Sequence, residues 1–358
     1  MDLFTPTAFG DLKLANRITM APMTRSRADD AGVPGALVAE HYTQRAGLGL
    51  IVTEGVFPVQ ESKAYSGQPG IETDAQVAGW KAVTDSVHAA GGTIVMQLMH
   101  GGRVTHTAVN GSDRIVGPSA VAIDGELYTP AGKQAFPVPH ALTADELDST
   151  KAGIVAAARN AIRAGFDGVE VHSANGYLLH QFLSPVSNVR DDEFGGSPQN
   201  RARYGVEVTR AVAEAIGAGR TGIRISPAHN IQDVVETDDA DVRATYEALV
   251  EGISGLGLAY LSVVHNEPTG DLVQDLRVRF GGNLIANTGF GTVTTRDEAA
   301  ELVSGSYADA VAVGRPVIAN PDLAERWAQE APENEPDASL FYTPGARGYT
   351  DYPTLASA

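Results

Sequence analysis

Gly168-Val-Glu-Val-His172-Ser-Ala-Asn175-Gly-Tyr177 is a short, mostly apolar run that ends in a turn signal. Residues 168–172 predict a short buried strand, and the helix-breaking Asn-Gly pair that follows ends it. His172 therefore lies at the carboxyl end of a strand, which is where parallel α/β barrels build their active sites. We expect an imidazole and an amide there that hold a carbonyl oxygen, with the phenol of Tyr177 beside them as a proton source.

Two other roles for His172 compete with catalysis. A lone histidine at a strand end is commonly a hydrogen-bonded structural residue, and His172 could form a metal site with His180. A zinc or iron site needs three or more ligands, and no other residues here have ligand spacing such as His-Glu-x-x-His. The pattern therefore predicts no metal site and favours the catalytic role.

The overall composition is that of a globular protein. The chain has 358 residues, of which 43% are hydrophobic and 20% are charged. Barrels of this length commonly form one domain, so we expect a single domain over residues 1–358. The longest apolar runs, such as Leu48–Val52, are too short to span a bilayer, and the N-terminus lacks a basic region followed by an apolar one. We therefore expect a cytoplasmic protein that does not bind membranes.

Cysteine and charge content exclude several classes of function. The chain has no cysteine, which excludes disulfides, thiolate nucleophiles, iron–sulfur clusters and cysteine-ligated zinc. Any redox chemistry must therefore come from a bound cofactor. The formal net charge of −18 argues against nucleic acid and acidic membrane surfaces as partners, because phosphate binding depends on Lys and Arg. No lysine ends a predicted strand, which argues against a Schiff-base aldolase.

Strand and helix patterns alternate along the chain. Strands are predicted at Ile18–Ala21, Leu50–Val56, Thr93–Leu98, Gly168–His172, Gly222–Ile225, Tyr260–Val264, Leu284–Asn287 and Ala310–Val313. Helices are predicted most strongly at Thr73–Ala90, Thr143–Ala164, Pro198–Ala215, Asp239–Leu256 and Thr294–Ser304. N-cap signals occur at Thr143, in a capping box with Glu146, at Asp239 and at Thr294. Eight strand-then-helix units predict an α/β fold, the (β/α)8 TIM barrel.

Three segments fall outside this alternation. Residues 3–14, with a turn at positions 10–11, predict an N-terminal hairpin that closes the bottom of the barrel. Residues 99–141, inserted after strand three, predict a small β-hairpin lid over the barrel mouth. Residues 331–358 form an acidic, Pro-rich and then aromatic C-terminal tail.

Polar residues stand at the carboxyl ends of several predicted strands. Gln97 and Arg224 interrupt otherwise apolar strands, and a buried guanidinium is costly unless an anion or several acceptors satisfy it. An amide and a guanidinium that face one cavity could form hydrogen bonds with the polar edge of a planar, electron-accepting heterocycle. Strands seven and eight are followed by Gly289 and by Gly314-Arg315, positions at which barrels bind phosphate. The residues alone leave open whether these loops bind a phosphorylated flavin or are ordinary turns.

Seven motifs, spread over nearly the whole chain, carry a resemblance to a known family. They are Ala21-Pro-Met-Thr-Arg25, Val95-Met-Gln-Leu98, the block from His172 to Pro185, the block from Asn188 to Arg201, Gly222-Ile-Arg-Ile-Ser-Pro227, the block from Gly314 to Leu323, and Phe341-Tyr342. In this order they resemble the old yellow enzyme family of FMN-dependent ene-reductases. The stretch from His172 to Arg201 is the most specific part of the likeness.

The resemblance implies an activity and a set of site residues. NAD(P)H would reduce non-covalently bound FMN, which would pass a hydride to Cβ of an α,β-unsaturated carbonyl compound in a ping-pong cycle. His172 and Asn175 would hold the carbonyl oxygen and Tyr177 would protonate Cα, while Met99 and Tyr342 would line the substrate pocket. Nitro-olefins, N-substituted maleimides and nitrate esters are further candidate substrates. The flavin would be held by Ala21, Pro22, Met23, Thr24, Gly55, Gln97, Arg224, Gly289, Gly314 and Arg315.

Some positions depart from the commoner pattern of this family. Many members carry Trp where this chain has Met99, which puts substrate range and facial selectivity in doubt. Phe194 replaces a Tyr. Thr24, where other members have Cys, and Asn175, where others have a second His, favour the classical branch of the family. The resemblance is compatible with a monomer or a homodimer.

Two alternatives to the ene-reductase stay open from the sequence. A flavin dehydrogenase that runs in the reverse direction usually carries cysteine-ligated iron–sulfur clusters and further domains, and this chain has no cysteine. A flavin- or ligand-binding barrel without turnover predicts a disrupted donor set, whereas His172, Asn175 and Tyr177 are all present. No GxGxxG site is present for the nicotinamide coenzyme, which is consistent with transient docking over the flavin.

Overall fold

The computed structural model of the protein describes residues 1–357. In this range the strands are β1 (Thr7–Phe9), β2 (Leu12–Leu14), β3 (Ile18–Met20), β4 (Leu50–Val52), β5 (Ile94–Leu98), β6 (Val116–Gly117), β7 (Glu126–Thr129), β8 (Gly132–Ala135), β9 (His140–Ala141), β10 (Gly168–Ser173), β11 (Thr221–Ile225), β12 (Tyr260–Val264), β13 (Leu284–Asn287) and β14 (Ala310–Val313). The α-helices are α1 (Ala36–Thr43), α2 (Asp74–Ala89), α3 (Thr107–Asn110), α4 (Ala144–Arg163), α5 (Leu178–Leu183), α6 (Pro198–Ile216), α7 (Asp239–Ser254), α8 (Asp271–Phe280), α9 (Arg296–Ser304), α10 (Arg315–Ala319) and α11 (Leu323–Gln329).

Eight of these strands form a closed parallel barrel in the order β3-β4-β5-β10-β11-β12-β13-β14. Every neighbouring pair is parallel, and the register places His172 of β10 opposite Arg224 of β11. Helices connect successive strands and bury their apolar faces against the outside of the sheet, as Trp80 of α2 and Tyr246 of α7 do. The predicted (β/α)8 barrel is therefore confirmed.

The amino-terminal hairpin closes the bottom of the barrel. Strands β1 and β2 pair antiparallel, and the hairpin buries Phe9, Leu12 and Leu14. These side chains pack with residues at the amino ends of the barrel strands, among them Leu50 and Tyr260. The predicted hairpin therefore lies where the sequence placed it, on the side of the barrel opposite the strand ends that carry His172 and Arg224.

Several element boundaries differ from the prediction by one to four residues. Strand β4 ends at Val52 rather than Val56, and Val56 forms only an isolated bridge to Leu98. The capping box at Thr143 is confirmed. The other two predicted N-caps are off by one position, because Asp238 caps α7 instead of Asp239, and Thr295 caps α9 instead of Thr294. Both errors arose where two residues with capping side chains are adjacent.

The insertion after β5 and the C-terminal tail both return to the carboxyl ends of the barrel strands. Within residues 99–141, β7 and β8 form an antiparallel hairpin. The tail is held by two arginines: Arg27 donates to the carbonyls of Leu340 (3.0 Å) and Phe341 (2.7 Å), and Arg25 donates to the carbonyl of Gly348 (3.0 Å). No helix within residues 1–357 has the length and apolar character needed to cross a membrane.

Candidate active site

A cavity of about 980 Å³ opens at the carboxyl ends of the barrel strands. Most of the predicted site residues line it, namely Pro22, Met23, Thr24, Gly55, Gln97, Met99, His172, Asn175, Tyr177, Arg315 and Tyr342. Four predicted residues do not line it: Ala21, Arg224, Gly289 and Gly314. Ala21 and Arg224 are buried, Gly289 precedes the lining residue Phe290, and Gly314 precedes Arg315. Eleven of the predicted residues, from five strand ends, the insertion and the tail, are thus brought to one cavity.

The turn after β10 is held in an uncommon backbone conformation. Asn175 has φ +57° and Gly176 has φ +84°, in the left-handed region that favours glycine. A Cβ added at Gly176 would lie 2.8 Å from the carbonyl oxygen of Ile231, so the loop after β11 packs directly on this turn. The backbone N–H of Asn175 donates to Ser226 (2.8 Å), and that of Gly176 donates to the Nδ1 atom of His180 (2.9 Å). The turn therefore presents Asn175 and Tyr177 in a fixed geometry, and His180 supports this turn.

His172 is a neutral imidazole at pH 7. Burial, and to a smaller degree the charge of Arg224, lowers the pKa of His172 well below its usual value. Its ring centroid lies 5.1 Å from that of Tyr177. The Nδ1 atom of His172 and the Oδ1 atom of Asn175 are buried and have no hydrogen-bond partner in the protein. These uncommitted polar atoms fit a ligand that brings its own polar group to this point.

The Tyr177 hydroxyl is paired with a second tyrosine. Its oxygen lies 2.9 Å from the Tyr65 hydroxyl, and the two rings pack edge to face with centroids 6.4 Å apart. Burial raises the pKa of Tyr177, while hydrogen bonds from Tyr65 and Gln232 oppose that rise. The phenol is therefore protonated at pH 7. Because these hydrogen bonds favour the ionised phenolate, they also make Tyr177 a better proton donor than burial alone would allow.

Gln97 lines the cavity, whereas Arg224 is buried on β11 and does not line it. Gln97 donates through Nε2 to Glu170 (2.7 Å). Arg224 donates to Ser262 (3.1 Å) and Asn287 (3.4 Å), whereas its Nε atom is buried without a partner. A guanidinium with an unused N–H donor is suited to an acceptor on a bound molecule.

Thr24 lies in a loop that is held by a buried carboxylate. Glu54 accepts hydrogen bonds from the backbone N–H groups of Arg25 (2.9 Å) and Ser26 (3.0 Å). Ser26 has φ +56°, so the loop turns sharply just after Thr24. This arrangement also explains why β4 ends early: the strand residues expected at positions 53–56 turn away to bring Glu54 under the neighbouring loop.

The loops after β13 and β14 meet at Arg315. Gly289 has φ +91°, a conformation that requires glycine, and Arg315 begins α10 and donates to the carbonyl of Phe290. The two loops predicted to bind phosphate are therefore adjacent, and a guanidinium reaches the cavity between them.

Met99 forms one wall of the cavity. A Cβ added at Gly55 would collide with the sulfur of Met99 and lie 3.0 Å from its Cβ, so the two residues are in close contact. Met99 also packs in an apolar cluster with Val104, Ile123 and Tyr177. Residue 99 therefore determines the space beside the proton donor candidate.

Sequence reasoning missed several residues of this site. Tyr65 and Gln232 contact Tyr177 from loops that have no periodic pattern, and Glu170 lies inside β10. Residues of the β7–β8 hairpin, including Leu127 and Tyr128, also line the cavity. Of these residues, only Glu170 could have been found from the sequence. A charged residue in the middle of a buried strand is costly unless polar or oppositely charged groups contact it. No group of three or more His, Cys, Asp or Glu that could hold a metal ion occurs within residues 1–357.

The site is a cavity at the carboxyl ends of a parallel barrel, lined by an imidazole, an amide and a phenol, which is the arrangement of a barrel enzyme. Residues 2–334 match the NADH:flavin oxidoreductase / NADH oxidase family. The chain belongs to this family, so the resemblance to the old yellow enzymes is confirmed. It is an NAD(P)H-dependent flavin oxidoreductase whose cofactor is FMN.

Named relatives and solved structures extend over nearly the whole chain. A probable flavin mononucleotide-dependent alkene reductase of Leishmania infantum is 43% identical over 99% of this chain and 97% of its own length. The structure of the old yellow enzyme homologue from Zymomonas mobilis superposes with a TM-score of 0.94 at 38% identity, over 99% of this chain and all of that one. Morphinone reductase in complex with tetrahydroNAD gives a TM-score of 0.92 at 43% identity, over 99% and 98% of the two chains.

Proposed function

We propose that this enzyme is an FMN-dependent ene-reductase that reduces the C=C bond of α,β-unsaturated carbonyl compounds. The observation that carries the proposal is the convergence of His172, Asn175 and Tyr177 on the cavity that Gln97 also lines. Relatives named alkene reductase and morphinone reductase support it. N-substituted maleimides, nitro-olefins and nitrate esters are additional substrate classes that the same donor pair could bind.

The residues around the cavity fit FMN. Thr24 and Gln97 would bind the polar edge of the ring system, and the free Nε donor of Arg224 would serve the same ring. Gly289, Gly314 and Arg315 would hold the phosphate, while Ala21, Pro22, Met23 and Gly55 would border the ring. Bound FMN supplies hydride transfer, from NAD(P)H to the β-carbon of the substrate. All of these contacts come from one chain, which is compatible with a monomer or a homodimer.

His172 and Asn175 would hold the substrate carbonyl oxygen. His172 stays neutral because burial lowers its pKa, so it would act as a hydrogen-bond donor without charge, beside the Asn175 amide. Negative charge develops on the carbonyl oxygen as the double bond is reduced, and two preorganised donors stabilise that charge in a buried site. The rigid turn at Asn175 and Gly176 makes this arrangement effective, because no reorganisation is needed during the reaction.

Tyr177 would supply the proton to Cα. A phenol with a raised pKa stays protonated at pH 7 and lies next to the donor pair, as general acid catalysis requires. The Tyr65 hydroxyl, 2.9 Å away, would stabilise the phenolate that remains after proton transfer. Met99 and Tyr342 would shape the space for substituents on the substrate.

The visible spectrum of the purified protein tests this proposal most directly. We expect a flavin absorption spectrum, release of FMN on heat denaturation, bleaching by NADPH without oxygen, and recovery of the colour when 2-cyclohexenone is added. The matched variant His172→Ala/Asn175→Ala should bind FMN and bleach, but recover slowly with the enone. Release of FAD or of no flavin would overturn the cofactor site, and full recovery in the double variant would overturn the substrate site.

A further inference from the structure

The barrel interior contains a carboxylate for which the proposed reaction has no role. Glu170 is on β10, two residues before His172, so both side chains point to the same face of the strand, with Glu170 one layer deeper. Its side chain is 1% exposed. Glu170 pairs in register with Gln97 of β5, and its Oε1 atom accepts a hydrogen bond from the Gln97 amide at 2.7 Å.

A tyrosine from the next strand but one reaches the same carboxylate. Gly222 of β11 is paired with Glu170 on one side and with Tyr260 of β12 on the other. A Cβ at Gly222 would lie within 2.7 Å of three atoms of the Tyr260 ring, so only glycine lets this ring cross over β11. The Tyr260 hydroxyl makes no hydrogen bond of ordinary geometry, but it is near enough to Glu170 to favour the ionised carboxylate. A glycine and a tyrosine are thus arranged around one buried acid.

The charge of Arg224 favours the ionised form of this acid. Burial raises the pKa of Glu170, and the positive charge of Arg224, followed by the contacts with Gln97 and Tyr260, opposes that rise. Arg224 donates to Ser262 and Asn287 rather than to Glu170, so the two charges interact without a direct hydrogen bond. Each buried charge therefore offsets part of the cost of burying the other.

We propose that Glu170 is a positioning residue of the cofactor site, which orients the Gln97 amide and limits the positive charge that Arg224 presents to FMN. The inference rests on the proposed FMN site. The Gln97 nitrogen faces the Glu170 oxygen at 2.7 Å, so the Gln97 oxygen is left to accept an N–H from the cofactor. The same negative charge opposes binding of the reduced cofactor, which carries more negative charge than the oxidised form.

Glu170→Gln removes the charge and nearly keeps the shape. We expect the ratio of the affinities for reduced and oxidised FMN to be about tenfold higher in the variant than in wild type. For a two-electron couple, this corresponds to a reduction potential of the bound FMN that is about 30 mV higher. The potential is measured by anaerobic spectrophotometric titration against a reference dye. Glu236→Gln removes another buried carboxylate, which accepts from Tyr246 (3.1 Å) and from the backbone of Ala228 (2.9 Å), and should leave the potential unchanged.

Glu170→Asp tests the orienting role separately, because it keeps the charge but withdraws the carboxylate from Gln97. We expect a potential near that of wild type and a dissociation constant for FMN raised about tenfold. An unchanged or lower potential in Glu170→Gln would overturn the charge role, and a wild-type FMN dissociation constant in Glu170→Asp would overturn the orienting role. If Glu170→Gln does not fold, Glu170→Leu, which also removes the carboxylate, replaces it in the measurement of the potential, and Glu170→Asp still decides the orienting role. Wild-type protein that binds no FMN would instead refute the proposed function.

Discussion

Replacement of Tyr177 by Phe separates the two half-reactions of the proposed cycle. The phenol is needed when an enone is reduced but not when NADPH reduces the flavin, and general acid catalysis typically contributes about 10²–10⁴-fold. Stopped-flow traces of Tyr177→Phe should therefore show flavin bleaching at close to the wild-type rate. Reoxidation by 2-cyclohexenone should be slower by at least about 100-fold. Nitro-olefins should be less affected, because their stabilised nitronate can take its proton from water.

Tyr65→Phe is the matched control, because it also removes one hydroxyl from the same pair. The 2.9 Å hydrogen bond to Tyr177 is lost in both variants, but only Tyr177→Phe loses the proton donor. A hydrogen bond of this kind contributes about 0.5–1.5 kcal/mol, which corresponds to a rate effect of about 2- to 12-fold. We therefore expect reoxidation in Tyr65→Phe to slow by about that factor, far less than in Tyr177→Phe.

The alternative is that Tyr177 merely packs the cavity wall. In that case each variant removes the same hydrogen bond, so both should lose similar stability, about 0.5–1.5 kcal/mol, and both should show similar kinetics. Equal slowing of bleaching and reoxidation in Tyr177→Phe, or equal reoxidation rates in the two variants, would refute the proton-donor role.

Three further predictions concern the donor pair, the cavity wall and stability. Replacing His172 or Asn175 by Ala should slow reoxidation of the flavin by enone about 10²–10³-fold. It should also weaken the charge-transfer absorption band between the flavin and a bound phenol, because the phenol oxygen would use the same donor pair. Tight phenol binding in both variants would show that the substrate carbonyl binds elsewhere. Met99→Trp should change the product enantiomer ratio for bulky 2- or 3-substituted enones but hardly affect 2-cyclohexenone, and unchanged ratios would show that residue 99 does not contact substrate. Burial lowers the pKa of His100 to about 3, so its stabilising contribution is complete above the unfolded pKa of about 6.5 and is lost as pH falls towards 3. The free energy of unfolding from urea titrations should then fall by up to about 1.4 kcal/mol per pH unit below pH 6 on account of this group, and His100→Gln should remove that part of the slope.

The barrel could be predicted because its strands are short apolar runs between strong turn signals. The bounds of β12, β13 and β14 agree with the prediction at both ends. Strand β4 was predicted too long, because Val56 continues the apolar pattern although it makes only an isolated bridge. Periodicity reports which residues are buried, and both a strand and a buried turn satisfy it. Only the contacts of Glu54 with the neighbouring loop show that the chain turns at that point.

The sequence predicted only those site residues that lie at, or directly after, the carboxyl end of a barrel strand. His172 lies at a strand end and Asn175 and Tyr177 follow it closely, so barrel geometry was sufficient to bring them together. Tyr65 is 112 positions from Tyr177, in a segment between β4 and α2 without periodicity, and no local pattern links the two residues. Gln232 likewise comes from an irregular loop, where its φ of +57° has no signature in the sequence. Contacts between loops depend on tertiary packing, and the sequence pattern carries little information about them.

The network around Glu170 could be predicted only in part. Each of its polar residues stands out in the sequence, but no local pattern shows that they contact one another. Gln97, Glu170 and Arg224 each interrupt an apolar strand, and these strands, β5, β10 and β11, are neighbours in the barrel. Successive strands of a (β/α)8 barrel are adjacent, so three polar interruptions in three consecutive strands predict one internal cluster. The Gln97 amide then requires an acceptor, which Glu170 provides, while Arg224 interacts with the same carboxylate through its charge and not through a direct hydrogen bond. Arg224 read alone suggests a site for an anionic ligand, whereas Arg224 read with Glu170 indicates a guanidinium whose charge is already partly balanced before any ligand binds.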